Sequence, residues 1–353
     1  MSDIHNRINA FVKLGAFLNQ FSSQSPTVDA TIAGNEIFFD GFKHQLKLAE
    51  ENNAWFTKNN LQFALSTWGE ALSSSNLKKW LSNYLIEDVR PKKVAVIMAG
   101  NIPLVGFHDL LSVLISGHEV VVKQSSNDKH LLPYLSKYLE YIAPFFKGKI
   151  TFTDDKIQNF DAVIATGSDN TARYFEYYFG AKPNIIRKNR NSVAVLTGKE
   201  SVTDLEALGE DIFRYYGLGC RSVSKLFVPK DYNFDAFFKA VYKYGDIIHE
   251  NKYANNYDYN KAVYLMSLFN ILENGFLMLK EDEGYASPIA TVFYEEYTTV
   301  EAIKEKLTND ADKIQCTVAN GIVDGEVAFG KTQQPKLWDY ADGIDTLDFL
   351  LKL

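Results

Sequence analysis

Short apolar runs rich in β-branched residues alternate with segments of helical periodicity, and this alternation constrains the fold more than any other feature of the chain. Runs typical of strands occupy residues 94–98, 119–123 and 161–165. Segments with helical spacing, residues 103–115 and 131–142, separate them. Continuous apolar strands joined by crossover helices are typical of a parallel sheet that is covered on both faces. The sequence therefore predicts an open α/β architecture.

The same alternation continues to the C-terminal side, where it predicts a second α/β unit. After a strand at residues 192–196, where the first unit ends, a helix is expected at 203–216 and further strands at 224–229, 276–279, 289–293 and 314–319. Before the first sheet, residues 4–21 have the spacing of an amphipathic helix, with Ser2 or Asp3 as its cap. Residues 41–90 add helical patterns with Trp55, Trp68 and Trp80 as core anchors.

These patterns divide the chain into four predicted parts. Residues 1–90 form a helical region packed on the first α/β domain, which covers residues 91–196. A second α/β domain covers residues 197–328, and a tail covers residues 329–353. The end of the tail, residues 347–351, has a strand-like pattern that is suited to joining the first sheet or another subunit.

Composition and charge exclude several classes of function. A formal net charge of −7 argues against a nucleic-acid surface. The two cysteines, Cys220 and Cys316, have neither disulfide-framework nor zinc-ligand spacing, so no metal site is predicted. Polar residues interrupt the most apolar region, residues 94–122, which argues against stable membrane insertion. With no signal-peptide pattern at the N-terminus, we expect a cytoplasmic protein that acts on small molecules.

Two strand ends carry candidate binding loops. The Gly-x-Gly-x-x-Gly dinucleotide fingerprint is missing from this region, and residues 99–103 (AGNIP) and 165–168 (ATGS) stand where strands lead into helices. Open α/β sheets bind ligands at such carboxyl ends, and helix N-termini favour phosphate groups. Each loop could equally be a plain connection, with Asn101 only capping the following helix.

The order of several segments resembles the aldehyde dehydrogenase superfamily. Residues 101–104 (NIPL) and 117–126 (GHEVVVKQSS) are similar to its Asn-Phe-Pro and Gly-Asn-x-Val-Val-x-Lys-Pro-Ser segments. Residues 166–168 (TGS) resemble its Thr-Gly-Ser turn, and Gly219-Cys220 resembles the segment of its cysteine nucleophile. Residues 283–288 (EGYASP) are a looser likeness of Glu-x-Phe-Gly-Pro. The resemblance implies two three-layer α/β domains with open, mostly parallel sheets, the first binding a nicotinamide dinucleotide and the second carrying the cysteine.

The resemblance also assigns roles to individual residues. It implies that Cys220 is the nucleophile and that the Asn101 side chain and the Cys220 backbone N–H stabilise an oxyanion. The cofactor-binding residues that it implies are Lys123, Ser126, Thr166, Gly167, Ser168 and Glu283. A buried structural thiol is the alternative for Cys220, and for Cys316 we prefer that structural interpretation. A homo-oligomer is implied as well.

The residues of these motifs most resemble those of the long-chain fatty acyl-CoA reductases of bacteria, the reductases of the bioluminescence fatty-acid system. Their hydrolytic relatives carry a water-activating glutamate in a segment that falls here at residues 187–191, which read RKNRN. An enzyme that transfers its acyl group from a thiol does not need that base. We interpret residues 187–190 as a solvated basic turn, or alternatively as a contact for the phosphates of coenzyme A or NADPH.

The cofactor and substrate follow from the same resemblance. Ser126 stands where many relatives have a glutamate that repels a 2′-phosphate, so we expect NADPH, with NADH as the alternative. The predicted reaction is reduction of a fatty acyl-CoA or acyl-carrier thioester to an aldehyde. A short-chain acylating dehydrogenase, an acyl-phosphate reductase of the same superfamily, and a catalytically silent relative that binds nucleotide or acyl carrier remain as alternatives.

Overall fold

The computed structural model describes residues 3–86 and 89–353. Its strands are β1 (Lys93–Ile97), β2 (Glu119–Lys123), β3 (Ile150–Phe152), β4 (Ala162–Thr166), β5 (Asn184–Arg187), β6 (Asn191–Val195), β7 (Val223–Pro229), β8 (Ile271–Glu273), β9 (Met278–Glu281), β10 (Thr291–Tyr297) and β11 (Ile314–Val318). Its α-helices are α1 (Ile4–Asn19), α2 (Asn35–Asn52), α3 (Lys58–Ala71), α4 (Ser74–Leu81), α5 (Phe107–Ser116), α6 (Leu131–Ile142), α7 (Asp169–Phe179), α8 (Val202–Phe213), α9 (Asp235–Val241), α10 (Asn251–Met266), α11 (Val300–Asn309) and α12 (Thr346–Leu351).

The chain divides into two compact units. The first contains the described residues up to Lys188 together with Lys336–Leu353, and the second is Asn189–Pro335. The division falls before β6, whereas the sequence pattern had kept this strand in the first domain. The reason is its pairing: β6 lies between β7 and β11 in the sheet of the second unit. A continuous apolar run does not reveal which sheet its strand joins.

The first unit is built on a five-stranded parallel sheet with the order β3-β2-β1-β4-β5. The chain moves outward from β1 to β3 on one side and then returns to place β4 on the other side of β1. This reversal makes a topological switch point between β1 and β4, where open α/β sheets bind ligands beyond the carboxyl ends of the strands. The loops after β1 and β4 are the two candidate loops of the sequence analysis.

Helices α1 to α6 cover this sheet with an aromatic core. Phe17 stacks on Tyr138 with ring centroids 4.1 Å apart, and Phe42 packs against Phe17 at 5.5 Å. Trp80 is fully buried, while the other two predicted anchors, Trp55 and Trp68, are partly buried against the same core. The Asp3 side chain caps α1 by accepting the His5 N–H. The other predicted cap, Ser2, lies outside the described residues.

The end of the tail is a helix, and the strand predicted at residues 347–351 is wrong. The Asp345 side chain caps α12 by accepting the Asp348 N–H at 2.8 Å. Leu347 and Leu350, three residues apart, are both fully buried in the core of the first unit. Three-residue spacing places both leucines on one face of a helix, whereas a strand would point them to opposite faces.

The second unit contains a six-stranded sheet with the order β11-β6-β7-β10-β9-β8, in which β8 alone of these strands runs antiparallel to its neighbour. Its α8 begins with a reciprocal capping box between Ser201 and Asp204. After β9 the chain crosses back to the start of β10 without a helix, through residues 282–290. Over the part of the chain described here, no helix is both long and apolar enough to span a membrane.

Candidate active site

Cys220 is exposed at the corner of a tight turn in the second unit. The Ser222 N–H donates to the Gly219 carbonyl at 2.9 Å, which closes a turn with Cys220 at its second position. Two side chains hold this turn from behind: the Ser192 hydroxyl donates to the Cys220 carbonyl at 3.0 Å, and Gln333 Nε2 donates to Ser222 Oγ at 3.1 Å. The thiol therefore projects from a backbone that is fixed on both sides of it.

The backbone that leads into this turn is strained. Tyr215 and Tyr216 are both buried and have φ angles of 55° and 59°, and Gly217 follows at 77°. Left-handed backbone at a residue with a bulky side chain costs about 1–3 kcal/mol, and such residues concentrate at functional sites. Two adjacent examples, four and five residues before an exposed thiol, mark this loop as a candidate for chemistry.

The second cysteine lies behind the same turn. Cys316 is half-buried on β11, and its Sγ lies 3.0 Å from Ser192 Oγ. Because the Ser192 hydroxyl donates to the Cys220 carbonyl, the Cys316 thiol can donate in turn to Ser192 Oγ. This arrangement gives Cys316 a supporting position in the structure.

A buried lysine joins β7 to the segment that carries Glu283. The Lys225 side chain is fully buried, and its Nζ donates to the carbonyls of Asp282 at 3.1 Å and Glu283 at 2.8 Å. It also pairs with Glu295 at 2.6 Å. Burial lowers the pKa of Lys225, and the Glu295 carboxylate acts in the opposite direction. Glu283 is exposed on the segment between β9 and β10, residues 282–290. Lys225 fixes this segment by donating to its backbone carbonyls.

The carboxyl edge of the first sheet gathers the predicted residues of the first unit. Asn101 follows β1, and Lys123 ends β2, with its Nζ donating to the Asp155 carbonyl at 3.3 Å. Ser126 is exposed three residues later. Because β1, β2 and β4 are parallel neighbours, Thr166, Gly167 and Ser168 at the end of β4 lie on this same edge.

Two local facts refine the roles of these loops. Helix α5 begins at Phe107 after Gly106, so the alternative in which Asn101 caps this helix is wrong. The Ser168 side chain caps α7 by accepting the Thr171 N–H. This contact gives Ser168 a structural role, and its hydroxyl lies beyond the carboxyl end of β4, beside the switch point.

In the basic run at residues 187–190, Lys188 and Asn189 are exposed, but Arg187 is buried, which corrects the interpretation of this residue as solvated. Arg187 ends β5, is 5% exposed, and makes a bidentate pair with Asp109 on α5 at 2.5 and 2.8 Å. The neighbouring Lys188 pairs with Glu176 at 3.0 Å, and Arg190 donates to the Ala311 and Ile314 carbonyls. The guanidinium of Arg187 is therefore committed to Asp109.

Comparison with known families decides what kind of chain this is. The model of the acyl-CoA reductase (LuxC) family matches residues 38–240, which is more than half of the chain. The chain belongs to this family. As a LuxC-family member it is an oxidoreductase that acts on acyl or aldehyde groups. No curated protein matches the chain in sequence.

Solved structures show that this LuxC-family chain has the aldehyde dehydrogenase fold. Aldehyde dehydrogenase 21 of Physcomitrella patens, solved with its product succinate, is 12% identical, with 99% of this chain and 84% of that chain covered and a TM-score of 0.68. The indole-3-acetaldehyde dehydrogenase of P. syringae is 12% identical, with 90% and 72% covered and a TM-score of 0.62. The NAD-dependent benzaldehyde dehydrogenase of Corynebacterium glutamicum is 13% identical, with 88% and 76% covered and a TM-score of 0.61. The fold class predicted from the sequence is confirmed.

The LuxC-family chain thus has two groups of candidate residues, one in each unit. The first unit collects its group at the carboxyl edge of the β1, β2 and β4 strands. In the second unit, Ser192 of β6 donates to the Cys220 carbonyl, while Ser224 and Lys225 of β7 donate to the carbonyls of Tyr285 and Glu283. Sequence reasoning missed Ser192, Lys225 and the buried Asp128. The signal for Lys225 was a lysine inside an apolar strand, since a buried charge needs partners.

Proposed function

We propose that the chain reduces a fatty acyl-CoA or acyl-protein thioester to an aldehyde, with NADPH as reductant and a covalent acyl-Cys220 intermediate. The observation that carries this proposal is the exposed thiol of Cys220 on its anchored turn, in a chain that belongs to the LuxC acyl-CoA reductase family. A thiol so placed can attack a carbonyl carbon that is delivered from solvent.

In the proposed acyl transfer, the Cys220 thiolate forms a bond to the thioester carbonyl carbon. The tetrahedral oxyanion is stabilised by the backbone N–H of Cys220 and, as the family resemblance implies, by the side-chain N–H of Asn101. Collapse of the oxyanion breaks the bond to the donor thiol, which leaves as a thiolate and takes up the proton that Cys220 released. A single oxyanion donor is typically worth about 3 kcal/mol of transition-state stabilisation.

The candidate residues at the first sheet fit a nicotinamide dinucleotide. Sheets of this kind bind dinucleotides in the crevice at the switch point, which lies here between β1 and β4. The Lys123 ammonium and the Ser126 hydroxyl can donate hydrogen bonds to a 2′-phosphate. Two of the similar dehydrogenase structures were solved with NAD+. Bound at this edge, NADPH would supply the hydride that reduces the acyl thioester. Departure of the aldehyde returns Cys220 to its thiolate form.

The fate of the acyl group depends on a base that could activate water. By the family resemblance, the segment that carries the water-activating glutamate of hydrolytic relatives falls at about residues 187–191 of this chain, where the Arg187 guanidinium is paired with Asp109 inside the protein. A cation in that pairing cannot take a proton from water, which favours reduction of the acyl-enzyme over its hydrolysis.

The test is NADPH consumption with short-, medium- and long-chain acyl-CoAs and with an acyl phosphate, alongside direct detection of the aldehyde. We expect turnover with long-chain acyl-CoA, its loss in Cys220→Ala, and its retention in the matched thiol control Cys316→Ser. A preference for short chains or acyl phosphate would favour the related reductases. Aldehyde formation that survives Cys220→Ala would refute the proposal.

A further inference from the structure

The loops that follow β1 and β2 are joined by one buried carboxyl group, that of Asp128. This residue is 5% exposed, and its Oδ2 accepts the backbone N–H of Leu104 at 2.9 Å. The Asp128 backbone is itself anchored, because its carbonyl accepts from Gln124 Nε2 at 2.9 Å and its N–H donates to the Ser125 carbonyl at 3.1 Å. Asp128 therefore reaches the β1 loop from a fixed base on the β2 loop.

The residue that Asp128 holds has a strained backbone. Leu104 has a φ of 58°, in the left-handed region that a leucine rarely adopts. Its side chain is 1% exposed within the core of the first unit, so both the core contacts and the Asp128 carboxyl hold this conformation. Leu104 stands three residues after Asn101, and its left-handed backbone sets the direction in which the Asn101 segment leaves β1.

The same two loops also touch at Gly100. A Cβ on Gly100 would lie 2.6 Å from the Ser125 Cβ, which is closer than real side chains approach one another. Glycine is therefore required next to Asn101 because the β2 loop occupies that space. Contacts on both sides of Asn101, at residues 100 and 104, define the path of its backbone.

Burial of Asp128 costs more folding free energy than a purely structural residue would cost. Its Oδ1 is buried and has no hydrogen-bond partner among residues 3–86 and 89–353. Desolvation raises the pKa of Asp128 to about 6, and the Leu104 N–H offsets part of this effect. A buried polar atom without a partner costs about 1–3 kcal/mol, and native proteins keep few such atoms. A free-energy cost of this kind, kept beside a candidate site, indicates that Asp128 has a role in that site.

We propose that Asp128 is a positioning residue for the reaction, which holds the Asn101 side chain in its working direction through the Leu104 N–H. This inference rests on the proposed function, because it takes Asn101 to be an oxyanion donor. Misplacing a catalytic group by about 1 Å can cost about 100-fold in rate, so a loop that relaxes by a fraction of that distance lowers kcat without affecting substrate binding.

The experiment compares three variants of the full chain. Asp128→Ala removes the acceptor, Asp128→Asn keeps a carbonyl oxygen of the same reach, and Asp161→Ala is the matched control. Asp161 Oδ2 accepts the Lys93 N–H at 2.8 Å, so it makes the same kind of bond at the opposite end of β1. Hydrogen exchange of residues 100–106 reports the loop, and steady-state kinetics with acyl-CoA and NADPH report the reaction.

We expect Asp128→Ala to speed hydrogen exchange in residues 100–106 at least tenfold and to lower kcat about 10–100-fold, with both KM values within about threefold. Asp128→Asn should remain within about threefold of the wild-type kcat, and Asp161→Ala should match the wild type in both measurements. Iodoacetamide should alkylate Cys220 at the same rate in every variant, because that reaction needs no oxyanion donor.

Three results would overturn the inference: unchanged exchange in Asp128→Ala, an unchanged kcat, or an Asp128→Asn variant as slow as Asp128→Ala. If the wild-type protein does not turn over acyl-CoA, both the proposed function and this inference are refuted. If the wild type is active and Asp128→Ala is equally active, only the inference is refuted. Should Asp128→Ala fail to fold, Asp128→Ser, whose hydroxyl is too short to reach Leu104, replaces it.

Discussion

Replacing Arg187 by Met would leave the Asp109 carboxylate buried without the two guanidinium hydrogen bonds that it now accepts at 2.5 and 2.8 Å. Both side chains are only 7% exposed, so water has little access to replace them. Removing one partner of a buried ion pair costs about 3–5 kcal/mol, and the lost bond to Thr346 Oγ1 at 3.0 Å adds about 1 kcal/mol. We expect the free energy of unfolding of the first unit to fall by about 5 kcal/mol.

The assay is urea unfolding followed by tryptophan fluorescence. All four tryptophans, Trp55, Trp68, Trp80 and Trp338, belong to the first unit, so their signal reports that unit selectively. With slopes of about 2–3 kcal/mol per molar urea, the midpoint should drop by about 2 M.

A second variant separates the pair from its individual charges. Arg187→Met combined with Asp109→Leu removes both ions together, and apolar replacements of buried ion pairs are often neutral or stabilising. The double variant should therefore recover most of the stability lost in the single one. A single variant that costs less than about 1 kcal/mol, or a double variant no more stable than the single, would refute this reasoning.

Three further predictions follow from other buried groups. Lys225→Met, which removes the donor to the Glu283 carbonyl, should raise the KM for NADPH about tenfold, and an unchanged KM in an NADPH titration would contradict that role. Ser192→Ala should slow single-turnover acyl transfer about tenfold because the Cys220 carbonyl loses its donor, so a wild-type rate would count against it. Burial raises the folded-state pKa of Asp128 to about 6, above the ordinary value of an aspartate carboxyl, so Asp128 ionisation destabilises the fold as pH rises from about 4 to 6. The stability of Asp128→Asn relative to wild type should therefore grow by about 2 kcal/mol between pH 4 and pH 7, and a constant difference would exclude the shift.

The fold class was predictable because strand runs and helical segments follow different periods. Residues 94–98 and 119–123 predicted β1 and β2 to within a residue. The secondary structure of the tail was not predictable, because the apolar run at residues 347–351 is compatible with either a strand or a helix. The helix is decided by the Asp345 cap and by burial of Leu347 and Leu350. Boundaries that depend on long-range pairing, such as the sheet of β6, are not encoded locally.

The candidate site shows a similar limit. Cys220 could be proposed from the sequence because glycine, cysteine and a following strand stand in a family order, yet the residues that hold its turn come from distant parts of the sequence. Ser192 is 28 residues away and Gln333 is 111 residues from Ser222, so local pattern could not connect them. Arg187 was misinterpreted because a run of basic residues normally indicates solvent, while its partner Asp109 is 78 residues earlier on α5.

The most direct test of the central claim is the mass of the intact protein after mixing with a long-chain acyl-CoA in the absence of NADPH. Wild-type protein and Cys316→Ser should gain one acyl group, Cys220→Ala should gain none, and later addition of NADPH should remove the adduct and release aldehyde. An adduct that persists in Cys220→Ala, or wild-type protein that gains no mass with any acyl-CoA, would contradict the account.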